Sequence, residues 1–258
     1  MSPFLVNKVS TPIFSPIGVP FLELTNVTST NSYATEMIQA NLAEHGIAYF
    51  AHSQTAGKGQ RGKQWLTEPS SNIIISCVIN TSFLSIHNQF LFSVGVALAC
   101  NDFLTSYAGE ETAIKWPNDI YWRDRKAAGI LIENIVRGHK WQWAVVGIGM
   151  NINQTAFSPE LKNPVSIKQI TGKTFDAVAL SKELCACLET RYQQLKQGNY
   201  KDLLEEYNRH LFRRNERVHL RKGNITFEAT IKGVNEHGQL LVDNALQDSF
   251  SFGEVEWV

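Results

Sequence analysis

The sequence predicts an α/β (α+β) domain followed by a small β-barrel, on three observations. Up to about residue 214, segments with helical apolar spacing alternate with β-branched runs. Several strands between Ala113 and Ile152 follow one another with short connections, which only antiparallel pairing allows. Composition changes near Asn215, beyond which short strands are broken by turns at close intervals.

In chain order, residues 1–20 hold four of the eight prolines without periodicity and read as a tail or surface strap. Residues 21–214 form the main domain and 215–258 the barrel. Asn31 to Gly46 reads as a helix, capped by Asn31 or Ser32 and stopped by Gly46. Ile47–Ala51 is a strand, and Ile73–Ile79 is a buried strand by its β-branched run. Gln89 to Leu104 places Phe90, Val94, Ala97, Leu98 and Leu104 at helical spacing. Ala113–Trp116, Ile120–Trp122, Gly129–Val136 and Trp141–Ile152 are strands, the last three an antiparallel meander. Val178–Lys196 and Tyr200–Leu211 are amphipathic helices. Turns at Arg221–Asn224, Glu236–Gly238 and Asp243–Asn244 divide the barrel strands.

Of 258 residues, 43% are hydrophobic and 19% charged, enough apolar surface for a sizeable core. The formal net charge is zero, unlike a general nucleic-acid binder. Cys77 and Cys100 lie in apolar runs, and Cys185 and Cys187 fall on different faces of one helix. Without Cys-x-x-Cys or His-x-x-x-His pairs, a zinc site is not expected. The N-terminus lacks a signal-peptide pattern, and no run reads as a membrane span, so a cytoplasmic setting is expected.

Five segments carry chemistry. Gly57-Lys58-Gly59-Gln60-Arg61-Gly62-Lys63-Gln64-Trp65 combines glycines with cations, which suits a phosphate or carboxylate. Its Gly-x-Gly-x-x-Gly spacing is not a dinucleotide fingerprint, because loop residues with a Pro follow instead of a helix. Lys115-Trp116-Pro117-Asn118-Asp119 sets Asn and Asp at a strand end, fit for Mg²⁺, nucleotide hydroxyls or a plain Asx-turn. Lys126-Ala127-Ala128-Gly129-Ile130-Leu131 starts an apolar strand with a cation. Gly147-Ile148-Gly149-Met150-Asn151 puts glycines inside a strand, a mark of close backbone approach or of a bulge. Thr28-Ser29-Thr30-Asn31 offers more hydroxyls and amides than one helix cap needs.

In this order and spacing the segments resemble the biotin protein ligases, or biotin–[acetyl-CoA-carboxylase] ligases, over about residues 24–155. The resemblance implies a catalytic domain related to class II aminoacyl-tRNA synthetases, with a mixed sheet and flanking helices, plus an SH3-like barrel. It implies ATP-dependent joining of biotin to AMP with release of pyrophosphate, then transfer of biotin to a Lys of a biotin carboxyl carrier protein. Mg²⁺ is implied with ATP. Ser29, Thr30, Asn31, Gln54, Lys58, Gly59, Gln60, Lys126 and Gly129 would form the biotin side. Arg61, Trp65, Lys115, Asn118, Asp119 and Asn151 would form the adenylate side. Lys126, Asp119, Lys58 and Arg61 would serve catalysis, and Asn118 with Asp119 would hold the metal. Two departures stand out: Lys58 and Gln60 replace arginines usual in the family loop, and Lys cannot grip phosphate in bidentate fashion. The catalytic pattern starts near Phe21, so the N-terminal DNA-binding domain of some members is not expected, nor a nucleic-acid partner. Dimerisation through the sheet is an option that relatives suggest. The competing readings are a lipoate or octanoyl ligase of the same fold, a non-catalytic biotin sensor, and a generic nucleotide-binding module.

Overall fold

The computed structural model describes residues 15–258; of the tail expected over residues 1–20, residues 1–14 lie outside the described residues, and Ile17 is buried in the main core. Seven strands make one sheet: β1 (Phe21–Leu24), β2 (Ala48–Ala51), β3 (Ile73–Asn80), β4 (Thr112–Lys115), β5 (Asp119–Trp122), β6 (Arg125–Arg137) and β7 (Lys140–Met150). Their order is β1-β2-β3-β7-β6-β5-β4. β1 and β2 are parallel and every other pair is antiparallel, so the sheet is mixed, with the meander running from β4 to β7.

The two faces of β3 explain its unbroken apolar run. Ile73, Ile75, Cys77 and Ile79 point into the main core, while Val78 packs with Ala34 and Ile38 of the first helix on the other face. That helix, α1, spans Thr30–Gln39. It starts earlier than the sequence suggests and is preceded by Ser29 in extended geometry. It also ends seven residues before Gly46, because Asn41 turns left-handed at φ 56°. The main core is built on α2 (Gln89–Ala108), with α4 (Ala177–Lys196) and α5 (Tyr200–Arg209) packed against it. α2 with its preceding turn, Ile86–Ala108, is long and apolar enough to cross a membrane, contrary to expectation. Two thirds of its most apolar stretch is buried inside the protein, however, which accounts for that composition. Each fully buried Leu, Phe or Val there contributes about 1.5–3 kcal/mol. The short helix α3 (Ile167–Thr171), absent from the sequence reading, is closed by a Ser166–Gln169 capping box.

The last strands are β8 (Arg217–Lys222), β9 (Ile225–Val234), β10 (Leu240–Asp243), β11 (Ser249–Phe250) and β12 (Glu256–Trp257). They form an antiparallel five-stranded sheet in the order β11-β10-β9-β8-β12, as an SH3-like module requires. Its Leu220, Ile231, Leu240 and Phe250 join the main core rather than a separate one.

Two local features position the site. Gly129 pairs with Gly149, and Gly147 lies two residues before it on β7, so three glycines make a low strip on one face of β6 and β7. On β6 an extra residue, Ala127, interrupts the pairing: Ile120 faces Ala128, but Tyr121 faces Lys126. This bulge puts Lys126 on the same face as Tyr121 and Asp119, although simple alternation from Gly129 would have put it on the other.

Candidate active site

One cavity of about 840 Å³ opens over the glycine strip, and every predicted site residue lines it. At one end lie neutral polar groups. Ser29, Thr30 and Asn31 are almost fully buried. Gln54 Oε1 accepts from the Thr30 backbone N–H at 2.8 Å and from its hydroxyl at 3.2 Å. The Ser29 side chain does not cap α1 and makes no hydrogen bond among the described residues. Ser29 Oγ and Gln54 Nε2 are therefore open to a ligand. Asn31 is different. Its Nδ2 donates to Glu133 Oε2 at 2.8 Å and to Leu131 O at 3.3 Å, and its Oδ1 accepts from Ser76 Oγ at 2.6 Å. Its amide shapes the pocket wall instead of facing inward.

The middle of the cavity is charged. Lys126 Nζ lies 2.7 Å from Asp119 Oδ1 and 5.6 Å from the Trp65 ring centroid. Lys115 pairs across the β4–β5 hairpin with Asp119. Its ammonium sits among the rings of Tyr121, Trp257 and Phe212, at 4.6, 5.1 and 5.4 Å. Burial, partly offset by Asp119, pushes the Lys115 pKa down to about 8.

The glycine loop folds over this floor. Lys58 and Gln64 form a bridge, and Gly59 N–H donates to Lys63 O at 2.7 Å. Gln60–Gly62 is a single 3₁₀ turn in which Arg61 takes a left-handed conformation at φ 55°. No helix follows, so the loop is not a dinucleotide fingerprint. Arg61 Nη1 donates to Gly253 O at 3.3 Å, and its guanidinium lies 5.8 Å from the Phe252 ring centroid. The loop thus rests on the C-terminal module. Gly253 takes φ +86°, which favours glycine, and a Cβ there would lie 2.9 Å from Arg61 Cζ and displace that side chain. Trp65 lies flat over the strip: a Cβ on Gly149 would overlap its indole, and one on Gly129 would reach 3.0 Å. Its indole N–H is buried without a partner.

Two predicted residues are committed to the scaffold. Asn118 Nδ2 donates to Ile130 O at 2.9 Å, clamping the hairpin to β6. Asn151 Nδ2 donates to Val165 O at 3.2 Å and its N–H to Ala127 O at 2.9 Å, bracing the strand beneath Lys126. For a metal, Asp119 offers a carboxylate and Asn118 its carboxamide oxygen, and no group of three His, Cys, Asp or Glu side chains occurs among the described residues. That donor set suits Mg²⁺ carried mainly by phosphate oxygens, not a protein-built cage. Residues that sequence reasoning missed are Glu133, Ser76 and the module's Phe252, Gly253 and Trp257. Only Glu133 left a sequence signal, as the one carboxylate within the apolar run of β6.

The arrangement places neutral hydrogen-bonding groups, a central cation and a cationic loop in one groove. It can hold a carboxylate and a phosphate together while a fixed charge offsets their repulsion. Known proteins resemble this chain in sequence and in fold. The sequence model described as the biotin/lipoate A/B protein ligase family matches residues 22–151. The bifunctional ligase/repressor BirA of Bacillus spizizenii is 27% identical over 220 residues, covering 84% of this chain and 67% of its own. The biotin–[acetyl-CoA-carboxylase] ligase of Paracoccus denitrificans is 28% identical over 225 residues, covering 85% and 92%. The biotin protein ligase of Aquifex aeolicus, solved with biotin and ATP, superposes with a TM-score of 0.77 at 23% identity over 92% of this chain and 97% of that one.

Proposed function

Because the chain belongs to the biotin/lipoate A/B protein ligase family, we propose that it is an ATP-dependent biotin protein ligase acting on a biotin carboxyl carrier protein of a carboxylase. The observation that carries this reading is the continuity of one cavity from the neutral Ser29–Gln54 end to Lys126 and Asp119. A ureido ring is neutral and needs donors and acceptors, and buried groups left unpaired by a wrong head group reject it. Gln54 and Ser29 hold that ring. The biotin carboxylate lies toward Lys126, where its oxygen attacks the α-phosphorus of ATP and pyrophosphate leaves. Lys126 stabilises the charge that develops there. Lys58 and Arg61 close the loop over the acyl-adenylate, and Trp65 and Lys115 flank the nucleotide. Asp119 and Asn118 would help hold Mg²⁺, which would supply charge neutralisation of the triphosphate. In the second step the carrier's lysine amine attacks the acyl carbonyl and AMP leaves. Zero net charge fits a protein rather than a nucleic-acid partner, and the four free thiols fit the cytoplasm.

The test is ATP–pyrophosphate exchange with biotin, lipoate or neither, in the wild type and in Lys126→Ala. The expected result is exchange that requires biotin and is lost in the variant, followed by transfer to a carrier domain. Exchange driven by lipoate would reassign the substrate, and biotin binding without exchange would make the protein a sensor.

A further inference from the structure

Glu133 lies on β6 seven residues beyond Lys126, behind the cavity-lining Asn31, and its two oxygens serve different elements. Oε2 accepts from Asn31 Nδ2 on α1 at 2.8 Å. Oε1 lies 3.9 Å from Lys58 Nζ of the glycine loop. Behind Asn31 the chain of polar contacts continues through Ser76 Oγ, which is 2.6 Å from Asn31 Oδ1 and 2.8 Å from Thr30 Oγ1, and on to Gln54. A Cβ on Gly147 would overlap Asn31 Oδ1, so the carboxamide is wedged between β7 and this carboxylate.

We propose that Glu133 is a positioning residue for the neutral subsite: one carboxylate orients the Asn31 amide from behind and draws Lys58 of the glycine loop over the same subsite. The subsite being the biotin end rests on the function proposed above; the coupling of loop to wall does not. An amide has two orientations, and the acceptors on the Nδ2 side, Glu133 Oε2 at 2.8 Å and the more distant Leu131 O at 3.3 Å, select the one with Oδ1 toward Ser76. Reversed, Asn31 would face Ser76 with a donor, and the contacts that hold Thr30 and Gln54 would rearrange. A buried amide that accepts at one end and donates at the other also holds its wall rigid, which is what discrimination between head groups needs. The Lys58 arm is half-exposed and therefore weak and salt-sensitive, suited to a loop that must open for substrate and product.

The experiment uses Glu133→Gln, Glu133→Ala, Lys58→Met and the double variant Glu133→Gln/Lys58→Met. In the ligand-free protein, trypsin cutting after Arg61 and Lys63 reports loop opening. Glu133→Gln and Lys58→Met are each expected to raise the cutting rate about two- to fivefold at low salt, the double variant no further, and 1 M salt to abolish the differences. In pyrophosphate exchange, Glu133→Ala is expected to raise KM for biotin about tenfold with kcat little changed. Glu133→Gln, whose amide oxygen still accepts from Asn31, recovers most of that loss. Additive cutting rates in the double variant, or a biotin KM unchanged in Glu133→Ala, would overturn the proposal. Should the wild type not take biotin at all, the function above fails, while the cutting rates still decide the coupling.

Discussion

Lys126 and Asp119 meet at 2.7 Å because strand β6 carries one residue more than its partner at Ala127. Without that bulge the lysine would leave the face that carries Asp119. Both side chains keep part of their surface in contact with the cavity, 31% and 23% exposed, so the pair is accessible to a ligand and contributes little to stability. Lys126→Ala is expected to lower biotin-dependent pyrophosphate exchange by about 10²–10³ while shifting the thermal midpoint little. Exchange rates and a melting curve on one preparation check both parts.

By its resemblance to the biotin protein ligases, Gln60 stands where their loop usually has an arginine. A charge-assisted hydrogen bond to phosphate contributes about 1.5–3 kcal/mol against less for a neutral amide. Gln60→Arg is therefore expected to slow release of the acyl-adenylate about tenfold. Chasing labelled adenylate with excess cold ligand measures it, and equal rates in the two proteins would refute the expectation.

Gly149→Ala changes no demanding backbone angle but places a methyl group inside the Trp65 indole. The ring has to leave the strip. Expected are altered tryptophan emission, unchanged far-ultraviolet circular dichroism, and nucleotide affinity lowered about tenfold, read by calorimetric titration.

Arg191 binds Asp102 and Glu206 together, with Nε to Asp102 at 2.7 Å and Nη2 to Glu206 at 2.6 Å, and so ties α2, α4 and α5. Arg191→Met leaves two partly buried carboxylates without a cation and is expected to destabilise the fold by about 2–3 kcal/mol. Its hydrogen bond to Glu206 holds that carboxyl below its usual pKa. The unfolded chain therefore binds the extra proton first, and this stabilisation is present above about pH 4.5 and lost as pH falls through the folded value. Urea midpoints between pH 3.5 and 7 should show a flatter acid limb in Arg191→Met.

For Lys115 the slope has the same sign but another origin, a desolvation penalty on the charged form instead of an ion-pair gain. Its pKa of about 8 lies below that of an unfolded lysine, about 10.4, so folding releases a proton between those values and stability rises with pH there. The difference in urea midpoint between wild type and Lys115→Met should widen in favour of the wild type from pH 8 to 10. A constant difference would mean that the aromatic rings hold the ammonium as well as water does.

The glycine loop, the Lys115–Asp119 and Lys126–Leu131 segments, the glycines of β7 and the hydroxyls before α1 were all legible in the chain, because each is a local pattern with its own chemistry. So were the long helices and the buried strand β3, where periodicity and β-branching act within one segment. Boundaries were less legible: α1 ends at a left-handed Asn41 and not at the glycine that usually stops a helix.

What the sequence by itself determined is which residue types are available and in what order, along with the segments that must be buried. Only the tertiary structure decided that Ala127 bulges and turns Lys126 toward Asp119, and that Arg61 rests on Gly253, 192 positions away. It also decided that Glu133 faces Asn31 and Lys58 together. The physical reason is that strand register and long-range packing set these contacts. A shift of one residue in pairing reverses the face of every side chain, and no local pattern encodes that choice.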